Sequence, residues 1–328
     1  MQAPDPVSRN SLVGDIGGTH TRLAIAECAG TAVTLHHAAR LLNAEYADPG
    51  AALRRYLAGL PAGSQPRHAC LAVAGPIDGR RARLTNLAWL LDADALAAEF
   101  DLDRVKLIND FLAVGFGLAA LTAADLAMLQ PGQARARAPR LALGAGTGLG
   151  VVQCVWDSDG LRPLASEGGH ISFAPVDDEQ TALLRFLQAE YGRVSVERIL
   201  SGPGIEMLYA YCRAASGRPL KLPRAAAEVS AAALAGSDPA ASWALRLFAR
   251  ILGQTAGDLA LLSRAEGGVY LAGGIAAKIL PCLQGPDFLA GFTGKGRFSD
   301  WMKTLPVAVV LDPDLGLKGA ALAAGRAA

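Results

Sequence analysis

Two short glycine-rich stretches carry the residue types that phosphate chemistry needs. The first is Gly14-Asp15-Ile16-Gly17-Gly18-Thr19, entered from Leu12-Val13 and followed at once by the apolar run Leu23 to Ala26. The second is Gly144-Ala145-Gly146-Thr147-Gly148-Leu149-Gly150, set between Leu141 and Val151-Val152. Both read as strand, tight turn, strand. Glycines in such a turn let a ligand approach the main chain with no Cβ in the way. Backbone N–H groups and a threonine hydroxyl suit phosphate oxygens, and a nearby acid such as Asp15 suits a divalent cation. For either stretch alone, an ordinary glycine hairpin explains the pattern equally well. Recurrence points further, to a duplicated nucleotide-binding fold with one phosphate turn per half. The second turn is no Rossmann fingerprint, because Leu149 or Val151 stands where G-x-G-x-x-G needs its last glycine. No P-loop occurs either, since Gly294-Lys295-Gly296-Arg297 lacks both spacing and hydroxyl.

A second group of residues could handle protons and hydroxyls. Arg104 to Ile108 has a strand pattern that ends in Asn109-Asp110, and an Ala/Gly-rich helix is expected from Leu112 to Leu121. Ligands of open α/β sheets collect at the carboxyl ends of strands. Asp110 stands there, although a helix N-cap would also explain an acid at this position. Glu167 and His170 flank Gly168-Gly169, so both can reach into one cleft from one loop. His170 read alone suits a structural donor to backbone carbonyls, and Glu197 a surface pair with Arg193 or Arg198. A zinc site around His170 lacks partners, because no cysteine follows until Cys212 and no second histidine follows at all.

The elements that must position these residues alternate between strand and helix. Helical spacing marks Pro49 to Leu60, a helix capped by Asp92 and running through Phe100, Thr181 to Tyr191, and a helix opening near Pro203 and ending around Gly217. Trp243, Leu247, Ile251, Leu259 and Leu262 mark a long core-facing helix, and Leu317 to Ala328 an Ala-rich terminal one. Buried strands are expected at Ala69 to Ala74, at Val269 to Ala272 leading into Gly273-Gly274, and at Val307 to Leu311. Arg83 to Leu90 carries Thr85-Asn86 and Trp89. Thr122 to Pro139 reads as a connection between halves, residues 218–239 carry no chemical signal, Gly291 to Thr304 reads as a loop, and Met1 to Ser11 as a loose tail.

Composition bounds the rest. With 328 residues the chain has room for two domains with separate cores. A hydrophobic share of 52% against 19% charged excludes a disordered chain. A formal net charge of +1 gives no long-range pull on nucleic acid or anionic membrane. The basic trio Arg135, Arg137 and Arg140 reads as a solvated linker. Five widely spaced cysteines without C-x-x-C fit a reducing, cytoplasmic compartment. No apolar run reaches the roughly 18 residues of a membrane span, and no signal-peptide pattern is seen.

Taken together, GDIGGTHTRLA, KLINDFLAVGFGL, GAGTGLGV, SEGGHISFAP, ERILSGPGIEMLY, LAGGIAAKI and DLGLKGAALA resemble the bacterial ATP-dependent glucokinases, of the actin/hexokinase/Hsp70-like superfamily. The resemblance runs nearly end to end. It implies an α/β fold of two RNase H-like (actin-like ATPase) domains flanking a cleft. The small domain would be 1–120 plus a returning 312–328, and the large one 121–311. It implies phosphorylation of D-glucose at the 6-hydroxyl by ATP, with Asp110 as general base. Asn109, Asp110, Glu167, His170 and Glu197 would hold glucose. Asp15, Gly17, Gly18, Thr19, Gly146, Thr147 and Gly148 would hold the phosphates, and Gly273 and Gly274 the adenosine side. Asp15 would orient Mg²⁺ through water. The sugar-contact roles of His170 and Glu197 rest on the resemblance alone. His20 stands where many members carry Asn, and the Cys-rich zinc motif of a related sugar-kinase branch is missing, so no structural zinc is expected. A homodimer is a family-level expectation. A kinase for another hexose, a non-catalytic sugar-sensing regulator and an actin- or chaperone-like ATPase acting on protein are the competing readings.

Overall fold

The computed structural model describes residues 10–84, 87–217 and 225–326. Most of the expected N-terminal tail, the Thr85-Asn86 pair, residues 218–224 and the last two residues of the expected terminal helix lie outside the described residues. By internal contacts the chain divides into two units, residues 1–123, 161–165 and 312–328 on one side and 124–160 and 166–311 on the other.

The first unit opens with the hairpin β1 (Ser11–Ile16) and β2 (His20–Ala29), followed by β3 (Ala32–Leu42), α1 (Pro49–Ala58) and β4 (His68–Val73). A small meander, β5 (Ile77–Asp78), β6 (Arg81–Arg83) and β7 (Leu90–Asp92), leads into α2 (Ala93–Glu99), β8 (Arg104–Asn109) and α3 (Asp110–Gly117). Asp48 caps α1 ahead of Pro49, and Asp92 caps α2, the local signals that start these helices. The sheet order is β3-β2-β1-β4-β8, antiparallel across β3-β2-β1 and parallel across β1-β4-β8. Leu12, Leu23, Leu71 and Leu91 are buried on one face of it.

The second unit contains β9 (Leu126–Gln130), the hairpin β10 (Arg140–Ala145) and β11 (Leu149–Asp157), and, after β12 (Gly160–Leu164), the helices α4 (Asp178–Tyr191), α5 (Gly202–Ala215), α6 (Ala226–Leu234) and α7 (Pro239–Ser263). Then come β13 (Val269–Ala272), α8 (Gly274–Lys278), α9 (Leu280–Leu283), α10 (Pro286–Thr293), α11 (Ser299–Met302) and β14 (Val307–Val310). Its strands run β11-β10-β13-β14-β9. The hairpin β10-β11 followed by parallel β13 and β14 repeats the pattern β1-β2, β4, β8 of the first unit. One topology is built twice.

The final helix α12 (Leu315–Ala324) belongs to the first unit, where Leu317, Ala320, Ala321 and Ala323 pack on Val13, Cys70, Ile108 and Ala113. A Cβ on Gly319 would fall 1.7 Å from the Ala113 carbonyl oxygen, so α3 and α12 approach as closely as they do because that position is glycine.

Several expectations need correction. The 122–139 connection contains β9, an antiparallel edge strand on β14. The expected loop at 291–304 is largely helical. Phe288 and Phe292, four residues apart, stack at 6.1 Å and are fully buried, which gives α10 the one-sided apolar stripe of a packed helix. The Ala-rich stretch before Ser237 forms α6 around buried Val229. The basic trio needs no such correction: Arg135 and Arg137 are exposed, Arg135 pairing with Glu266, and Arg137 and Arg140 lie over the Trp156 ring.

Candidate active site

The turn between β1 and β2 is held from behind. Gly17 N–H donates to the His20 carbonyl at 3.0 Å, closing the turn. Asn43, fully buried after the end of β3, donates through Nδ2 to the Gly17 carbonyl at 2.8 Å and accepts the Thr21 hydroxyl at 2.8 Å on Oδ1. Its own N–H donates to the Thr19 carbonyl at 2.9 Å. Three bonds from one residue fix the loop, and the N–H groups of Gly18 and Thr19 have no acceptor among the described residues. Thr19 is exposed. Nothing in the local sequence singles out Asn43. Its only signal is scarcity, since the chain has four asparagines, and a buried amide declares itself only through its partners.

Asp15 ends the same hairpin. Burial holds its carboxyl above the ordinary carboxylate range, against the pull of Arg22 directly across the strand pair. Arg22 is itself committed to the Pro313 carbonyl and the Asp314 carboxylate ahead of α12. Gly316 lies against the acid, where a Cβ would stand 3.3 Å from Asp15 Oδ2. Asp15 is therefore a half-buried carboxylate packed beside the first turn of α12.

The Asn109-Asp110 pair divides its labour. Asn109 is the N-cap of α3, its Oδ1 accepting from Phe111 N–H at 2.9 Å and Leu112 N–H at 3.3 Å. Asp110 is the first helical residue, and its Oδ1 shares the Phe111 N–H at 2.9 Å. The cap that could have explained an acid here is the neighbour's job. The Asp110 carboxyl is pushed up to about 6, chiefly by burial, with the Asp15 charge adding and the Phe111 N–H and Asn109 opposing.

In the second unit, the turn after β10 is tied at three points. Gly146 N–H donates to the Gly148 carbonyl at 2.8 Å, and the Gly146 carbonyl accepts from Gly202 N–H, at the start of α5, at 2.8 Å. Leu149 N–H donates to Glu197 Oε2 at 2.9 Å. The N–H groups of Thr147 and Gly148 have no acceptor among the described residues, and Thr147 is exposed. The two turns thus present the same thing, a threonine and a glycine N–H beside it.

Glu197 Oε1 lies 3.9 Å from His170 Nδ1, and His170 Nε2 lies 3.9 Å from Glu167 Oε2, so the structure brings these three together. Their exposure grades sharply, with side chains 88% open at Glu167, 58% at His170 and 30% at Glu197. The bland alternatives for this group are not what is found. Arg193 donates to the His170 carbonyl at 2.6 Å and Arg198 stacks on Tyr191, so neither is spent on Glu197. Gly169 explains the loop's fit, since a Cβ there would fall 2.1 Å from the Leu149 carbonyl oxygen. Gly273 and Gly274 join β13 to α8, Gly273 at φ 85 and Gly274 with open space where a Cβ would be.

A divalent cation fits the first unit's acids on chemical grounds. Burial raises both Asp15 and Asp110, and the Asp15 charge adds to the cost of ionising Asp110, which a cation beside them would relieve. Among the described residues no three His, Cys, Asp or Glu side chains gather into a metal cage, so such an ion would draw its other ligands from phosphate oxygens and water.

Comparison with known proteins settles the family. A glucokinase from Chromohalobacter salexigens is 42% identical over 314 residues, covering 96% of this chain and 97% of that protein. The crystal structure of a glucokinase from an Antarctic psychrotroph superposes with a TM-score of 0.87 at 34% identity, over 96% of this chain and 98% of that one. A ROK family glucokinase from Streptomyces griseus, solved in complex with glucose and AMPPNP, shares the fold at a TM-score of 0.68 and 20% identity, over 96% of this chain and 99% of that one. The chain is a kinase, a transferase of α/β fold with two actin-like ATPase domains. The family model for glucokinase matches residues 12–327, and the chain belongs to that family.

Proposed function

We propose that this enzyme transfers the γ-phosphoryl group of ATP to the 6-hydroxyl of D-glucose, giving glucose 6-phosphate and ADP. The observation that carries the reading is Asp110, a carboxylate at the end of a parallel strand, relieved of helix capping by Asn109 and raised in pKa. A base poised near neutrality accepts a hydroxyl proton as the oxygen attacks. Asp110 takes the 6-hydroxyl proton, the new O–P bond forms, and the bond to ADP breaks in line. Glu167, His170 and Glu197 hold glucose hydroxyls together with Asn109, whose Oδ1 is spent on the helix and whose Nδ2, already beside the Asp110 carboxylate, has a second hydrogen to donate. Gly18, Thr19, Thr147 and Gly148 offer N–H groups to phosphate oxygens, with Gly17 and Gly146 shaping the turns and Gly273-Gly274 beside the adenosine. Mg²⁺, oriented through water by Asp15, would neutralise charge on the transferring group. Most of the rate comes from positioning and electrostatics, because a loose phosphoryl transition state needs little covalent help.

Among the described residues no helix is long and apolar enough to cross a membrane. We place the reaction in the cytoplasm. A coupled assay with ATP and a panel of hexoses tests the reading. Glucose turnover well above that of its epimers is the expected result, and turnover of none of them removes it.

A further inference from the structure

Among the described residues of the second unit, Glu197 sets one carboxylate oxygen on the backbone beside the Gly146-Thr147-Gly148 turn and the other near His170. Oε2 accepts the Leu149 N–H at 2.9 Å, directly after the Gly146-Thr147-Gly148 turn, and Oε1 lies 3.9 Å from His170. The same oxygen that binds Leu149 occupies the space over Gly148, where an added Cβ would stand only 2.5 Å away. Among the described residues no lysine or arginine pairs with this carboxylate. Its position is therefore set by one backbone N–H on the phosphate side and by whatever occupies the sugar side.

We propose that Glu197 is a positioning residue that couples the two subsites, so that a bound hexose hydroxyl on Oε1 fixes Oε2 on Leu149 and with it the phosphate turn. This rests on the glucose kinase reading above and adds a role to a residue so far assigned only to the sugar. A carboxylate can do this because each oxygen accepts independently. An amide has one acceptor and one donor, so it meets the same pair only by reversing the polarity of the hydroxyl contact or by giving up the Leu149 N–H.

The physical consequence is reciprocal. If glucose organises the turn, glucose tightens nucleotide binding, and the nucleotide tightens glucose by the same factor. It also makes an unusual cross-prediction. Gly148 belongs to the proposed phosphate turn, its φ is not in the left-handed region, and the three nearest atoms a Cβ there would meet all belong to the Glu197 side chain. Gly148→Ala should leave the fold intact, push the Glu197 carboxylate aside, and so weaken sugar binding from the phosphate side.

The test is calorimetric titration of the full chain with AMPPNP and Mg²⁺, with and without saturating glucose, and of glucose alone. In the wild type glucose should tighten AMPPNP roughly 5- to 100-fold. Glu197→Gln should collapse that factor to within about twofold, and Gly148→Ala should weaken glucose about tenfold while Tm stays within a few degrees. Glu167→Gln serves as the control, with weaker glucose binding but an intact coupling factor once glucose is saturating. A wild type that phosphorylates glucose but binds AMPPNP equally with and without it overturns the coupling alone. So does a folded Gly148→Ala that keeps wild-type glucose affinity. A wild type that phosphorylates no hexose overturns the underlying reading and the coupling with it.

Discussion

The two Gly/Thr turns have nearly the same sequence logic and are held in opposite ways. The turn at Gly17-Gly18-Thr19 is fixed by Asn43, a neutral, buried amide whose donor and acceptor are both spent on the hairpin. The turn at Gly146-Thr147-Gly148, tied at one end to the start of α5, is held by its one side-chain anchor, Glu197, a partly exposed carboxylate with one oxygen committed and one open. A buried neutral anchor has nothing to respond to, and an exposed charged one does. In this twice-built topology the two copies differ not in the Gly/Thr turn itself but in what stands behind it. The first half supplies a constant platform beside the acids Asp15 and Asp110. The second half supplies an adjustable one.

The largest expected effect leaves both anchors alone and so separates chemistry from positioning. Asp110→Asn should lower kcat roughly 10²- to 10⁴-fold with glucose KM changed only a few-fold. Steady-state kinetics decide it, and a kcat within a few-fold of wild type would make Asp110 structural.

Breaking the constant anchor comes next. Asn43→Ala removes a buried donor and acceptor at once, stranding the Thr21 hydroxyl and the Gly17 carbonyl. A loss of about 2–4 kcal/mol in stability follows, read by denaturant unfolding. In the surviving folded fraction the KM for ATP should rise about tenfold while the glucose dependence of AMPPNP binding persists. That pattern is the converse of Glu197→Gln. If both variants erase the coupling, the contrast between the anchors is wrong.

How much of this the sequence made legible follows from where each partner lies along the chain. Both turns were readable because glycine and threonine spacing is local. The strand-end position of Asp110 was readable because Arg104 to Ile108 is a local apolar pattern. Which of Asn109 and Asp110 caps α3 was not, because both side chains can accept the same N–H groups and only coordinates choose. Asn43 acts across 22 and 26 residues on Thr21 and Gly17, and no periodicity connects them. Glu197 reaches Leu149 across 48 residues, and from the sequence it looked like half of a surface pair with Arg193 or Arg198. The helices in the 286–304 segment hid behind Gly291, Gly294 and Gly296, which read as breakers until Phe288 and Phe292 were seen buried on one face.

The platform around Asp110 carries a smaller, pH-dependent signature. Its pKa stands at about 6 in the folded state against an ordinary 3.8, so the folded protein binds the proton more tightly than the unfolded chain. The sign is that of a penalty, absent below about pH 4, growing as pH rises and complete above 6. Asp110→Asn should therefore stabilise the protein by about 1–3 kcal/mol at pH 8, with the gain shrinking toward pH 4. Tm measured for both proteins across that range checks it, and a gain independent of pH would mean that burial of this charge is not its source.

The smallest effect sharpens the comparison from within the first half. The Asp15 charge is one of the causes that raise Asp110, and Arg22, the neutralising partner across the strand, is tied to Pro313 and Asp314. Removing the charge in Asp15→Asn should let Asp110 ionise more easily. The acid limb of kcat/KM, which lies near pH 6 in the wild type if Asp110 must be deprotonated, should then move to lower pH. Because Asp15 is also the residue proposed to orient the cation, the variant should be slower overall, so each profile is scaled to its own plateau and only the midpoint compared. No equivalent shift should follow from Glu167→Gln, whose carboxylate is not among the causes acting on Asp110. A midpoint unmoved by Asp15→Asn would show that burial alone sets the base, and that the two acids of the constant half do not act as a pair.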